Sequence, residues 1–116
     1  MGPKKIHNGI YLVGSSNMTN PKDCCVYIVD FGELILIDAG AGDSVTSIVG
    51  NVERAGFDPS NISNIILTHC HIDHIGGAPQ LKRLFCAKTV MHELDGAVVE
   101  SRSQKTGSDL SGIAAL

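Results

Sequence analysis

Ten consecutive residues carry the most specific signal in this chain, and they read Thr68-His69-Cys70-His71-Ile72-Asp73-His74-Ile75-Gly76-Gly77. Three of the five histidines of the chain fall in this stretch, together with one aspartate. If the preceding strand continues to residue 71, His69 and His71 point to the same side, about 6.6 Å apart at their Cα atoms. Asp73 and His74 then lie on the turn that enters the next helix. The spacing therefore predicts that three imidazoles and one carboxylate face a common cavity.

These side chains are typical ligands of a reactive metal centre. Imidazole nitrogens combined with a carboxylate suit Zn²⁺, Mn²⁺ or iron. Because the pattern requires no cysteine ligand, it disfavours a closed structural zinc site. Gly76 and Gly77 leave the start of the next helix without side chains, so backbone or substrate can approach it. The alternatives are a set of exposed loop histidines and a metal site that is vestigial or incomplete.

Strands and helices alternate on both sides of this cluster. Two apolar, β-branched runs joined by a glycine-containing turn predict an antiparallel hairpin covered on both faces. Apolar residues at helical spacing predict a helix that Gly56 ends in the left-handed conformation. The predicted strands lie at residues 8–13, 25–29, 34–37, 62–68 and 89–91, and the predicted helices at 44–55, 78–85 and 94–99. This order predicts an α/β fold.

Length, composition and charge restrict the class of protein. A chain of 116 residues allows one domain or part of one, and 43% hydrophobic residues exclude wholesale disorder. The net charge of −3 and the absence of a long basic run do not favour nucleic acid as a partner. Neither a signal peptide nor an apolar run of membrane-spanning length is recognisable, so we expect a cytoplasmic location and no membrane partner. The four cysteines form no CxxC pair, which predicts reduced, buried thiols.

The signature His69-x-His71-x-Asp73-His74 and the chain around it resemble the metallo-β-lactamase-fold superfamily of metal-dependent hydrolases. The resemblance extends over nearly all of residues 8–101, and it implies an αββα sandwich with the metal site at one edge between two mixed sheets. Members of this family take further ligands from their C-terminal half. We therefore expect the chain to supply the N-terminal half of such a domain, with one sheet face left uncovered.

The domain prediction follows from the same resemblance. Residues 1–116 are predicted to form a single, incomplete metallo-β-lactamase-like domain, within which residues 102–116 are a loop or the truncated start of the next element. The polar, serine-rich and glycine-containing sequence after residue 100 is typical of a surface loop.

The resemblance also implies a role for each residue of the site. His69 and His71 correspond to ligands of a first metal ion, and Asp73 and His74 to ligands of a second. The implied cofactors are two divalent ions, Zn²⁺ in the first place and iron or manganese as alternatives. Asp73 is the implied catalytic residue, which orients a metal-activated hydroxide and accepts its proton. Asp38 corresponds to an acid that orients the ligand loop from behind, and an ordinary turn residue is its alternative interpretation.

The implied activity is hydrolysis of an ester, thioester, lactam or phosphodiester bond in a small-molecule substrate. The residues after the signature resemble the thioester-hydrolase branch, which is glyoxalase-II-like, more than the tRNA-processing nucleases. One alternative is a non-catalytic or truncated module that self-associates into a homo-oligomer through its uncovered sheet. Another is a mono-iron dioxygenase of the same superfamily, which would consume oxygen.

Overall fold

The computed structural model describes residues 2–95 and the backbone of residues 114–115. Its elements, in chain order, are β1 (Lys4–His7), β2 (Ile10–Gly14), β3 (Val26–Asp30), β4 (Leu34–Ile37), α1 (Val45–Arg54), a short 3-10 helix (Pro59–Asn61), β5 (Ile62–Leu67), α2 (Ile72–Ile75), α3 (Ala78–Phe85), β6 (Lys88–Met91) and β7 (Ala114–Ala115). The strands form one sheet in the order β1 to β7. Pairing is antiparallel from β1 to β4 and parallel from β4 to β7. The predicted α/β class is confirmed.

One face of the sheet is closed by helices. Helix α1 contacts β2, and α3 contacts β5 and β6. Strand alternation places on this face a set of side chains that are at most 2% exposed, namely Val13, Val26, Ile28, Leu36, Ile65, Leu67 and Met91. Ile48 and Val52 of α1 and Leu81 of α3 complete the same core cluster. Burial of this apolar surface is the main force that holds the helices on the sheet.

The opposite face of the sheet is also apolar but less covered. The strand register aligns one row of side chains across β2 to β6, namely Leu12, Tyr27, Ile37, Ile66 and Val90. Each of these residues is half-buried within the described part of the chain. Within the described residues, this face of the β3–β4 hairpin is therefore less covered than the face under the helices.

Most predicted elements are present with shifted ends. The helix predicted at 78–85 has these bounds, and α1 is followed by Gly56 with φ +98°, as predicted. Strand β1 was not predicted, because its sequence Lys-Lys-Ile-His is polar and all four of its residues are exposed. The predicted helix 94–99 and loop 102–116 lie outside the described residues, apart from residues 94–95 and the backbone of 114–115.

The prediction that the four thiols are buried is wrong. No disulfide links the four cysteines, but Cys25 and Cys86 are exposed, and Cys24 and Cys70 are only half-buried. None of the described helices has the length and apolar character that crossing a membrane requires.

Candidate metal centre

The histidine cluster begins where the chain leaves the sheet after β5. This strand ends at Leu67, so the expectation that strand geometry continues to residue 71 is wrong. The rings of His69 and His71 still face each other, with centroids 6.1 Å apart and planes inclined by 17°. Since no strand alternation acts here, the conformation of the loop between β5 and α2 brings these two exposed rings together.

Helix α2 supplies the other two predicted ligands. This helix is a single turn that starts after His71, and it contains Asp73 and His74 rather than leaving them on the turn before a helix. The ring centroids of His74 and His69 are 4.6 Å apart. An Asp73 carboxylate oxygen lies 3.5 Å from His74 Nε2. The structure thus brings the three imidazoles together around His69, with Asp73 beside His74.

Asp38 lies behind these rings at the end of β4. Its carboxylate accepts hydrogen bonds from Thr68 N (2.9 Å) and from Thr68 Oγ1 (2.7 Å). The Oδ2 atom also lies 3.1 Å from His74 Nδ1. Asp38 has φ +66°, in the left-handed region that aspartate tolerates better than most residues. A carboxylate at Nδ1 keeps the proton on that nitrogen and leaves Nε2 free to bind a metal.

Thr68 connects Asp38 to two rings. Its hydroxyl oxygen lies 3.0 Å from His69 Nδ1 and 3.3 Å from His74 Nδ1, while it donates its own hydrogen to Asp38. Parallel pairing of β4 and β5 sets up this contact, because both strands end at the same edge of the sheet. Thr68 opens the motif quoted above, but no role for it was predicted from the sequence.

Two glycines let α2 pack directly on the loop after β4. A Cβ atom at Gly76 would lie 2.0 Å from the carbonyl oxygen of Ala41, and one at Gly77 would lie 2.2 Å from that of Ala39. Backbone hydrogen bonds join the same segments, from Ala39 N to His74 O (2.8 Å) and from Gly77 N to Gly40 O (3.2 Å). The expected close approach at these glycines is made by backbone.

A buried carboxylate, that of Asp23, fixes the other side of this loop. It accepts hydrogen bonds from Ala41 N (2.8 Å), from Thr19 Oγ1 and from Ser44 Oγ. A Cβ atom at Gly40 would lie 2.8 Å from Asp23 Oδ1, so the loop also needs a glycine there. Asp23 was not predicted as a structural residue, because two of its donors are 18 and 21 residues away and no local pattern marks it.

We expect Asp23→Ala to lower the free energy of unfolding by about 3 kcal/mol, because three buried or half-buried donors lose their acceptor. Asp23→Asn keeps one acceptor oxygen, so about half of this loss is expected. Asp43→Ala is the matched control, because Asp43 is exposed near the same loop. Urea denaturation measures all three variants, and equal midpoints for Asp23→Ala and Asp43→Ala would contradict the assignment.

Cys24 lies next to the site and was not predicted to do so. Its sulfur, a carboxylate oxygen of Asp38 and a ring nitrogen of His74 all lie within 4.8 Å of one another. Burial, and next the charge of Asp38, raise the pKa of the Cys24 thiol to about 12, although a backbone hydrogen bond from Gly40 acts in the opposite direction. The thiol is thus protonated at neutral pH when no cation is bound.

The donor set fits a divalent ion. Three imidazoles and one carboxylate are ligands that Zn²⁺ accepts, and the contact between Asp38 Oδ2 and Nδ1 orients the ring of His74.

A cavity of about 610 Å³ lies at the other end of the strands, away from the histidine cluster. It is lined by Gly32, Phe57 and Asn61, among others.

Comparison with known proteins gives consistent matches. A family model described as the metallo-beta-lactamase superfamily matches residues 23–112. The metallo-beta-lactamase fold-containing protein ST1585 of Sulfurisphaera tokodaii is 30% identical over 84 residues, which are 72% of this chain and 29% of that protein. Ribonuclease TTHA0252 of Thermus thermophilus is 36% identical over 52 residues, which are 45% of this chain and 12% of that protein.

A solved structure of a B3 metallo-beta-lactamase with an active-site glutamic acid superposes with a TM-score of 0.74 and 32% identity, covering 84% of this chain and 35% of that one. The chain therefore spans about a third, or less, of the length of these relatives.

Proposed function

Because the chain belongs to the metallo-beta-lactamase superfamily, we propose that it carries part of the metal site of a metal-dependent hydrolase. The observation that supports this proposal is the convergence of three imidazoles, with ring centroids 6.1 Å and 4.6 Å from that of His69. His69 and His71 would hold one divalent ion, and Asp73 and His74 a second. Zn²⁺ fits these ligands, with iron or manganese as alternatives.

Divalent ions held by these residues would lower the pKa of a bound water molecule and polarise the substrate oxygen. The residues of this chain would orient the attacking water and accept its proton. Asp73 is partly exposed and lies 3.5 Å from His74 Nε2, so its carboxylate can orient the attacking water and accept its proton. Asp38 holds Nδ1 of His74 and thereby directs Nε2 toward the site.

The proposed substrate contains an electrophilic carbonyl or phosphorus, in an ester, thioester, lactam or phosphodiester. We favour a small-molecule ester or thioester, since the net charge of −3 does not attract a polyanion. The similarity to a ribonuclease supports phosphodiester hydrolysis as the second candidate.

Hydrolysis assays on the Zn²⁺-loaded, full-length protein that contains this chain test the proposal with a nitrophenyl ester, a glutathione thioester and bis-nitrophenyl phosphate. We expect turnover that a chelator abolishes. His71→Ala should reduce it by about a hundredfold or more, because the variant lacks one ligand of the first metal ion. His7→Ala is the matched control, because His7 is exposed on β1. Turnover that survives both the chelator and His71→Ala would refute the proposal.

A further inference from the structure

Three side chains of different chemistry meet on the side of His74 that faces β4. The Cys24 sulfur, an Asp38 carboxylate oxygen and a His74 ring nitrogen lie within 4.8 Å of one another. The Asp38 oxygen is 3.1 Å from Nδ1, so Nδ1 is the ring nitrogen that faces this group. We propose that these three residues form a second cation site, which takes a divalent ion with affinity for thiolate, such as Zn²⁺.

The backbone already holds the three residues in place. Cys24 N donates to Asp73 O (3.3 Å), which connects the segment just before β3 to α2. The Ala39 amide next to Asp38 donates to the carbonyl of His74 at 2.8 Å. In a tetrahedral zinc site, sulfur, nitrogen and oxygen ligands lie about 3.5 Å apart. Since no two of the three atoms are more than 4.8 Å apart, each pair needs to approach by about 1.3 Å or less, a distance on the scale of side-chain rotation.

The summed charge of the three ligands also balances the charge of a divalent ion. A thiolate and a carboxylate together neutralise a dication, and the imidazole binds as a neutral ligand. On binding, the S–H proton of Cys24 passes to solvent and a sulfur–metal bond replaces it. Thiolate ligands select Zn²⁺ and other soft ions over Mg²⁺ or Mn²⁺.

This site is distinct from the one in the proposed function, because it uses the other nitrogen of the same ring. A neutral imidazole carries one proton, so only one of its nitrogens can bind a metal. An ion on Nδ1 leaves the proton on Nε2, which faces Asp73 at 3.5 Å. The two sites therefore compete for His74, and filling of the second removes His74 from the hydrolytic site.

Cobalt substitution tests the proposal directly. One equivalent of Co²⁺ added to the metal-free protein is expected to give the near-ultraviolet charge-transfer band of a thiolate–cobalt bond. Cys24→Ser should abolish this band. Cys25→Ser should keep it, because Cys25 is the neighbouring, exposed thiol. A missing band in the parent protein, or a band that persists in Cys24→Ser, would overturn the proposal.

Two further variants separate this site from the hydrolytic one. His71→Ala should keep the cobalt band, because it removes a ligand only of the site in the proposed function. The band therefore reports on Cys24 even if no substrate is hydrolysed. Cys70→Ser should also keep the band, and its loss in this variant would assign the thiolate to Cys70 and overturn the proposal.

A measurement on the parent chain excludes a folding defect as the cause of a lost cobalt band in Cys24→Ser. Iodoacetamide alkylation of each cysteine, followed by mass spectrometry, should slow severalfold at Cys24 when Zn²⁺ is added. The rates at Cys25 and Cys86, both exposed, should not change. An unchanged rate at Cys24 at saturating Zn²⁺ would overturn the proposal.

Discussion

Gly76→Ala is expected to destabilise the fold by more than about 3 kcal/mol, which is the range of severe steric defects. The added Cβ would lie 2.0 Å from the carbonyl oxygen of Ala41 and 2.2 Å from its carbonyl carbon. These atoms are backbone, and Asp23 binds the amide of the same residue at 2.8 Å. The loop cannot retreat without breaking that hydrogen bond, so α2 must move and carry His74 away from the other rings.

Gly50→Ala provides a control in which the same chemical change should have the opposite sign. Gly50 lies within α1, and a Cβ there would have no neighbour within 4 Å. Alanine in a helix interior is favoured over glycine by about 0.5–1 kcal/mol, so this variant should be more stable than the parent chain. Urea denaturation with a far-ultraviolet signal measures both variants. Similar midpoints for the two variants would contradict the steric argument.

The second large effect is expected at Asp38, where stability and metal binding can be separated. Asp38→Asn keeps a residue that tolerates positive φ and keeps one acceptor oxygen for Thr68. It removes the negative charge beside Nδ1 of His74, so we expect divalent metal affinity to fall by about 10–100-fold. Asp38→Ala also places alanine at φ +66°, and it should lower the free energy of unfolding by about 3 kcal/mol.

Metal titration by calorimetry and urea denaturation together test this separation. Asp58→Asn is the matched control, because Asp58 caps the 3-10 helix through Ser60 at the opposite end of the strands. It should leave metal affinity unchanged. Unchanged affinity in Asp38→Asn would show that the carboxylate does not act on His74.

The sequence predicted those parts of the fold that have local signals. Helix α3 and the β3–β4 hairpin follow from hydrophobic periodicity and a turn glycine, and the ligand cluster from its own spacing. The approach of His69 to His71 was predicted, but for a wrong reason, since the loop after β5 and not strand alternation produces it. Periodicity describes regular elements, and it says nothing about a loop conformation that tertiary packing fixes.

The residues whose roles were not predicted make contacts with distant parts of the chain. Asp23 binds the amide of Ala41, 18 residues away. Cys24 donates to the backbone of Asp73 in α2, and three strands, α1 and the 3-10 helix lie between these two residues. Such contacts exist only after the sheet has formed, so no local pattern marks the residues that make them.

The parallel pairing of β4 with β5 has a consequence for the order of folding events. Asp38 and Thr68 meet only when these two strands, which are separated by α1, have paired. Pairing of this kind is slow. The long connection between the two strands must lose conformational entropy before contacts between them compensate for this loss. A short peptide with only the histidine motif should therefore bind zinc weakly. In refolding experiments, the appearance of tight metal binding should mark completion of the central sheet rather than formation of local structure.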